Sequence, residues 1–189
     1  MKIKDLQIGD SILVHFKPEY LNWYNKIMAK VQNRVDKSKA HHIAAYVGNG
    51  CLAEMWSTKL RKVGIYGGDK IEIKVIRPKV AFNKKAYLES INKDLLLTDE
   101  EKDYPEFELF QTSIATLLEF IIESIIKKNI EIPIFFKSKL GTCSRWKSDK
   151  FKDAGWDVFK GSSGSISPGD FDNCEDLYTV KEWDEKWTS

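Results

Sequence analysis

The chain has 189 residues, enough for one domain with its own apolar core. Its 30 Lys and Arg residues nearly balance 28 Asp and Glu residues, and no basic stripe is evident, so composition gives no reason to expect a nucleic-acid partner. Aromatic residues make up 12% of the chain, which argues against disorder. The three cysteines lie far apart and are odd in number, which favours a reducing compartment or a reactive thiol over a disulfide framework.

The chain shows no pattern typical of targeting, membrane insertion or cofactor binding. Its first residues lack the apolar centre of a signal peptide. The most apolar stretch, 109–126, is interrupted by Glu119 and Glu123, so no transmembrane span is expected. Gly67-Gly68 lacks the Gly-Lys-Ser/Thr ending of a phosphate loop. We therefore expect a cytoplasmic protein without a cofactor or a metal.

The first part of the chain predicts a strand and a helix. A turn at Gly9 precedes the apolar stretch 11–16, which reads as a short strand. Apolar residues then recur at spacings of three and four over 18–35, and Pro18 is suited to a first helical position. His15 lies within the predicted strand with no evident partner in sequence, and we interpret it as structural.

A β-hairpin is predicted next. Two extended stretches, 41–47 and 51–56, flank the sequence Gly-Asn-Gly at 48–50. A two-residue loop would put His42 and Glu54 on opposite faces of the hairpin, because strand side chains alternate. A three-residue loop would put them diagonally on one face, and the glycines permit it.

In the second register His42 and Glu54 could work together. A carboxylate that accepts a hydrogen bond from one ring nitrogen holds an imidazole in a single tautomer and stabilises its protonated form. The alternatives are a structural strand histidine and an exposed hairpin carboxylate. His41 would point to the opposite face, so only one histidine of the pair could serve.

The remaining elements are predicted from periodicity. A half-buried strand is expected at 70–77, helices at 83–92 and 107–128, a loop at 161–165 and a strand at 177–180. We found no internal repeat. The predicted fold class is α+β, a single domain over 1–189 with an antiparallel sheet and helices before and after it.

Cys143 is the candidate nucleophile. It follows the apolar stretch 130–136 and opens a predicted helix that stops at Gly155, with Thr142 as the N-cap. At a helix start, free amide N–H groups and the helix dipole lower a thiol pKa and raise the thiolate fraction. The alternative interpretation is a buried structural cysteine.

Five short motifs stand in one order along the chain: Gly9-Asp10 before a strand, His42 to Gly50 with Glu54 behind it, Arg77-Pro78, Thr142-Cys143-Ser144, and Ser167-Pro168-Gly169-Asp170. Together they resemble the circularly permuted NlpC-type papain-like cysteine hydrolases, in particular the YiiX/YaeF-like amidases. In that family the histidine strand precedes the cysteine helix, as it does here. The stretches 18–36 and 83–128 would then be helical insertions.

The resemblance implies a permuted papain-like fold, an antiparallel sheet or barrel packed against helices, with the catalytic cysteine at the start of a late helix. It implies Cys143 as nucleophile, His42 as general base and Glu54 as the third polar residue. Tyr46 and Thr142 are candidate substrate-binding or oxyanion residues. The expected reaction is hydrolysis of an amide or ester through a thioester. The expected substrate is a peptide, a peptidoglycan stem peptide or a lipid-like ester.

Three alternatives remain open at this point. An acyltransferase of the lecithin–retinol type would use Cys174 within Asn173-Cys174-Glu175, although no helix is evident after it. A metal site could combine His41 or His42 with Cys51 and Cys143, but the spacing is not that of metal ligands. A non-catalytic binding module on the same scaffold is the third.

Overall fold

The computed structural model describes residues 2–21, 37–56, 59–98, 142–160 and 166–187, and the single positions 23, 26, 29, 30, 33 and 118. The strands are β1 (Ser11–Phe16), β2 (His42–Gly48), β3 (Cys51–Trp56), β4 (Lys59–Gly64), β5 (Ile71–Pro78) and β6 (Leu177–Asp184). The helices are α1 (Lys84–Leu95), α2 (Cys143–Asp153) and the short α3 (Pro168–Asp172). Two 3-10 turns, Ile3–Asp5 and Pro18–Tyr20, complete the set.

The six strands form one sheet in the order β4-β3-β2-β1-β5-β6, and every neighbouring pair is antiparallel. Helix α2 packs on β2 and β3, and α1 packs on α2. The fold is therefore α+β, with an antiparallel sheet packed against helices, as the sequence predicted.

Both faces of the central strands are buried, because alternate residues point to opposite sides of the sheet. The face toward the helices shares a core with α1 and α2 that includes Leu13, Ile43, Ala45, Ala53, Ile76, Tyr87, Ile91, Trp146 and Phe151. The other face carries a second cluster that includes Ile12, Ala44, Tyr46, Leu52, Ile73 and Val75, packed against Leu6, Tyr66 and Trp187. Strand β2 contributes to both clusters, so its position is fixed from two sides.

The β2–β3 hairpin combines features of the two predicted registers. Gly48 is opposite Cys51, which makes a two-residue turn, and Asn49 and Gly50 both have positive φ. The register then shifts at Val47, so that further pairs follow the three-residue register, with Ala45 opposite Ala53. This irregularity puts His42 and Glu54 on the same face.

Several predicted elements are confirmed with altered ends. Helix α1 begins after the N-cap Asn83, whose side chain accepts a hydrogen bond from the Ala86 N–H at 3.0 Å, and it continues beyond the predicted end. Strand β6 is longer than predicted and runs to Asp184. Strand β4 was not predicted from the sequence, because charged residues interrupt the apolar alternation of Lys59–Gly64.

The predicted helix at 18–35 does not begin at Pro18. A 3-10 turn there is followed by Leu21 in an extended conformation, with ψ of 145°. The described positions 23, 26, 29, 30 and 33 are helical. The predictions at 130–136 and 161–165, and the helix at 107–128 apart from a helical position 118, lie outside the described residues. In the part of the chain that the structure describes, no helix is both long and apolar enough to cross a membrane.

The turn before β1 requires glycine. Gly9 has a φ of +99°, and a Cβ built on it would lie 2.3 Å from the ring of Phe82. The next residue, Asp10, is fully buried, and its two carboxylate oxygens accept hydrogen bonds from Nε and Nη2 of Arg77 at 2.6 and 2.8 Å. This ion pair joins the start of β1 to the end of β5.

Candidate active site

Helix α2 presents Cys143 as its first residue. The Thr142 side chain accepts a hydrogen bond from the Arg145 N–H at 3.3 Å, which confirms the predicted N-cap. The backbone N–H of Cys143 precedes the first intrahelical bond, from Trp146 N–H to Thr142 oxygen at 2.8 Å. The helix is anchored by the buried Trp146, whose indole N–H donates to Asp94 at 2.9 Å.

The cysteine sulfur meets His42 at the end of the β2–β3 pair. The paired register of these strands ends at Ala45 opposite Ala53, so His42 lies beyond the last paired residues. The His42 ring and the Ile43 backbone lie close enough to the sulfur for both to lower the pKa of the Cys143 thiol. It is half-buried and lies 3.7 Å from the Ser144 hydroxyl oxygen.

Glu54 holds the other side of the imidazole. Its Oε2 lies 2.9 Å from Nε2 of His42, and the Tyr66 hydroxyl donates to the same oxygen at 2.9 Å. Its Oε1 accepts from Arg61, with 2.8 Å to Nε and 2.7 Å to Nη2. A carboxylate only accepts, so Nε2 carries the ring proton and Nδ1 is left for the sulfur.

Charge and burial shift the pKa values of the three groups. Burial lowers the pKa of His42, but the charge of the Cys143 thiolate and hydrogen bonds to Cys143 and Glu54 raise it to about 9. Burial raises the pKa of the Cys143 thiol, yet the charge and hydrogen bond of His42 bring it below its usual value. Burial raises the pKa of Glu54, and bonds to His42, Arg61 and Tyr66 lower it overall. All three shifts favour a thiolate–imidazolium pair beside an ionised carboxylate.

An aromatic wall covers the imidazole. The Trp56 ring meets the His42 ring edge-on, with centroids 5.0 Å apart, and Phe16 meets Trp56 at 5.6 Å. The Arg61 guanidinium carbon lies 4.7 Å from the centroid of the Trp56 ring. Apolar cover of this kind excludes water and strengthens the hydrogen bonds behind it.

The structure therefore brings Cys143, His42 and Glu54 together, but it does not bring Tyr46 to the sulfur. Tyr46 lies four residues along β2 from His42, roughly 13 Å at the usual rise per residue. Its hydroxyl accepts from the Gly50 N–H at 3.4 Å, at the hairpin turn. This position does not favour Tyr46 as an oxyanion donor, and its role in the site stays a prediction. The Thr142 side chain is occupied as the helix cap.

The other residues of the alternative sites, Cys51, Cys174 and His41, have different partners. The Cys51 thiol is directed to the Asn49 carbonyl in the hairpin turn, at 3.6 Å. Burial raises the pKa of the Cys174 thiol, and this residue follows a helix of five residues instead of opening one. His41 Nδ1 accepts from the Phe16 N–H at 3.2 Å, and burial lowers the His41 pKa to about 4. Among the residues described, no three or more His, Cys, Asp or Glu side chains are grouped so as to hold a metal ion.

Sequence reasoning missed Arg61, Tyr66 and Trp56. Arg61 lies directly opposite Glu54 in the β3–β4 pair, and Trp56 lies opposite Lys59. A hairpin prediction that included 59–64 would have placed an arginine beside Glu54. No local signal indicates Tyr66, which reaches the carboxylate from the segment after β4.

Comparison of the chain with protein-family models, with curated proteins and with solved structures finds no significant match.

Proposed function

We propose that this protein is a thiol hydrolase that cleaves an amide or ester bond through Cys143, His42 and Glu54. One observation supports this most directly: a single buried imidazole bonds at 2.9 Å to a fully buried carboxylate and lies close enough to Cys143 for each of the two groups to shift the pKa of the other. Nucleophile, base and orienting group in hydrogen-bonded series are the arrangement that nucleophilic catalysis by a thiol needs.

In the first half of the reaction the Cys143 thiolate attacks the carbonyl carbon of the substrate. The helix-start N–H of Cys143 is suited to bind the oxygen that becomes negative, and the dipole of α2 favours charge there. The carbon–nitrogen or carbon–oxygen bond then breaks. The His42 imidazolium donates its Nδ1 proton to the leaving amine or alcohol, and a thioester on Cys143 remains.

In the second half water resolves the thioester. Neutral His42 takes a proton from water as the hydroxide attacks the thioester carbonyl, and the sulfur leaves as a thiolate. Glu54 keeps the ring in one orientation through both halves and stabilises each imidazolium that forms. The acid product leaves and the thiolate–imidazolium pair is restored.

The proposed family is the circularly permuted NlpC-type papain-like hydrolases, with a peptide, a peptidoglycan stem peptide or a lipid-like ester as substrate. The order of the elements supports it, because the histidine strand β2 precedes the cysteine helix α2 along the chain. An antiparallel sheet with the cysteine helix packed on it is compatible with that fold.

A substrate panel and an active-site label together test the proposal. The purified chain is incubated with peptide amides, peptidoglycan fragments and activated esters, and acylation is followed by intact mass. We expect one acyl group on Cys143, turnover of at least one class, and loss of both in Cys143→Ala. The matched control is Cys174→Ala, which should retain both. Acylation that persists in Cys143→Ala contradicts the proposal. So does a wild-type Cys143 whose alkylation rate depends on pH as that of a free thiol does.

A further inference from the structure

The guanidinium of Arg61 is placed between solvent and the buried end of the site. Arg61 and Glu54 face each other across the β3–β4 pair, so their side chains emerge on one face. Two nitrogens of Arg61 contact Oε1 of Glu54, while Oε2 is shared by His42 and Tyr66. The Arg61 side chain is 43% exposed, whereas Glu54 is fully buried.

A buried carboxylate needs a lasting positive charge to stay ionised. Without one, burial drives it to take up a proton, since the cost of an isolated buried charge is far higher than that of a neutral acid. His42 is positive only when it holds the proton that it exchanges in the reaction. Tyr66 donates as a neutral phenol, because burial and the nearby Glu54 raise its pKa. Arg61 is therefore the partner of Glu54 whose charge does not change with pH.

We propose that Arg61 is a positioning residue: it keeps Glu54 ionised and fixed, so that Glu54 can hold His42 against the Cys143 thiolate. This inference rests on the hydrolase function proposed above and adds to it the group that sets how acidic the solution can become before the thiolate is lost.

Few other charged groups face the pair among the residues that the structure describes. On β1 the residue opposite His42 is Val14, and on α2 the residues beside Cys143 are Thr142 and Ser144, all uncharged. Lys59 lies opposite Trp56, two residues nearer the β3–β4 turn than Arg61 and on the same face. Of the described groups, His42 and Glu54 bond to each other and Arg61 and Tyr66 bond to Glu54, whereas Lys147, one helical turn from Cys143, bonds to Tyr87.

The pH dependence of Cys143 alkylation tests the proposal without a substrate. Iodoacetamide labelling of Cys143 is measured from pH 4 to pH 8 by peptide mass analysis. In Arg61→Met we expect the acid-side midpoint to move up by about one pH unit, because one positive charge is lost near the thiolate and Glu54 becomes easier to protonate. Arg61→Lys should recover part of the shift, since it keeps the charge but loses the two-nitrogen contact.

Lys62→Met is the matched control. Lys62 is exposed on the same strand, its side chain points to the other face, and its loss changes the net charge equally. We expect its midpoint to stay at the wild-type value. A purely structural role for Arg61 would lower the urea midpoint of unfolding without moving the alkylation midpoint of the folded fraction.

The outcomes separate the two proposals. An unchanged midpoint in folded Arg61→Met, or equal shifts in Arg61→Met and Lys62→Met, overturns the role of Arg61 and leaves the hydrolase proposal intact. A wild-type Cys143 that labels like a free thiol overturns the hydrolase proposal itself. If Arg61→Met does not fold, Arg61→Lys decides, because the lost two-nitrogen contact alone should raise its midpoint above that of the wild type.

Discussion

The sheet buries two carboxylates, Asp10 and Glu54, and each is paired with an arginine. Around Asp10 every contact ends within the fold: Arg77 binds both of its oxygens, and the Gln7 N–H adds a third bond at 2.8 Å. Around Glu54 one contact continues through His42 to a half-buried sulfur. The two carboxylates are equally buried and both are paired with arginine. They differ because the contacts of Glu54 lead through His42 to a nucleophile, whereas those of Asp10 do not.

Helix α2 reaches both networks one turn apart. Its first residue, Cys143, meets His42, and Lys147 lies beneath the helix, bonded to the Tyr87 hydroxyl and 3.5 Å from the backbone oxygen of Asp10. Residues four apart share a helix face, so Cys143 and Lys147 lie on the same side of α2. One helix therefore carries a residue of each network, one turn apart.

Loss of the imidazole should have the largest effect. In His42→Ala we expect hydrolysis to fall roughly 10²- to 10⁴-fold, because the general base is gone. Alkylation of Cys143 at pH 6 should fall roughly 10- to 100-fold as the thiol returns toward its ordinary pKa. His41→Ala is the matched control and should leave both rates within about twofold, since His41 contacts Phe16 and His15 instead of the sulfur. Equal losses in the two variants would contradict the assignment of His42.

Breaking the ion pair between Asp10 and Arg77, whose contacts all stay within the fold, should change the free energy of unfolding and leave the reactivity of Cys143 unchanged. Asp10→Asn leaves the Arg77 charge without its partner in a site where its side chain is only 16% exposed, which should cost about 3–5 kcal/mol of unfolding free energy. Urea denaturation measures the loss. The surface substitution Asp157→Asn should cost less than about 1 kcal/mol. In the folded fraction of Asp10→Asn, the alkylation midpoint of Cys143 should not move. A shifted midpoint without a loss of stability would mean that Asp10 acts on the reactive site and not on the fold.

Loss of the Glu54 carboxylate should change the chemistry of the site more than the stability of the fold. In Glu54→Gln we expect the His42 pKa, about 9 in the wild type, to fall by roughly one to two units, because a negative neighbour is lost. The imidazolium then loses its proton at lower pH, and hydrolysis declines from a lower pH on the alkaline side. The cost in stability should be smaller than in Asp10→Asn, because the half-exposed Arg61 can be hydrated.

A titration of the histidine ring signals by NMR measures this shift directly, since the chain has only three histidines. His15 and His41 serve as internal references, because neither contacts Glu54 in the described structure. An unchanged His42 signal in Glu54→Gln would show that the carboxylate does not act on the ring.

The sequence was sufficient for features that depend on neighbouring residues. The Asn49-Gly50 turn, the Thr142 cap and the apolar alternation of β5 each follow from local conformational preferences. Those features already placed Cys143 at a helix start and His42 on a strand. The meeting of the two was inferred from family resemblance, and no local pattern encodes it.

What the sequence did not provide depends on pairing across the sheet. Strand β4 carries charged residues on an edge of the sheet, so its alternation is weak, and only its register with β3 places Arg61 beside Glu54. The irregularity at Val47 decides which face Glu54 occupies, and either loop length was compatible with the glycines. Tyr46 shares the face of His42 by strand alternation, but it lies four residues farther along β2.

Replacement of the buried lysine should have the smallest effect. Lys147 is fully buried between the rings of Tyr87 and Phe151, and burial brings the pKa of its amine well below its usual value. Lys147→Met removes the cost of burying an amine and keeps most of the volume, so urea denaturation should show a change within about 1 kcal/mol, in either direction. Lys147→Ala is the comparison and should cost about 2–4 kcal/mol through the cavity it leaves.

Neither Lys147 variant should move the alkylation midpoint of Cys143, because the sulfur meets His42 and Ile43 at the other end of the turn. A midpoint that followed Lys147→Met would mean that the lysine charge reaches the thiolate along α2. The contacts around Asp10 and Lys147 would then influence the reactive site, and Asp10 and Glu54 could no longer be assigned separate roles.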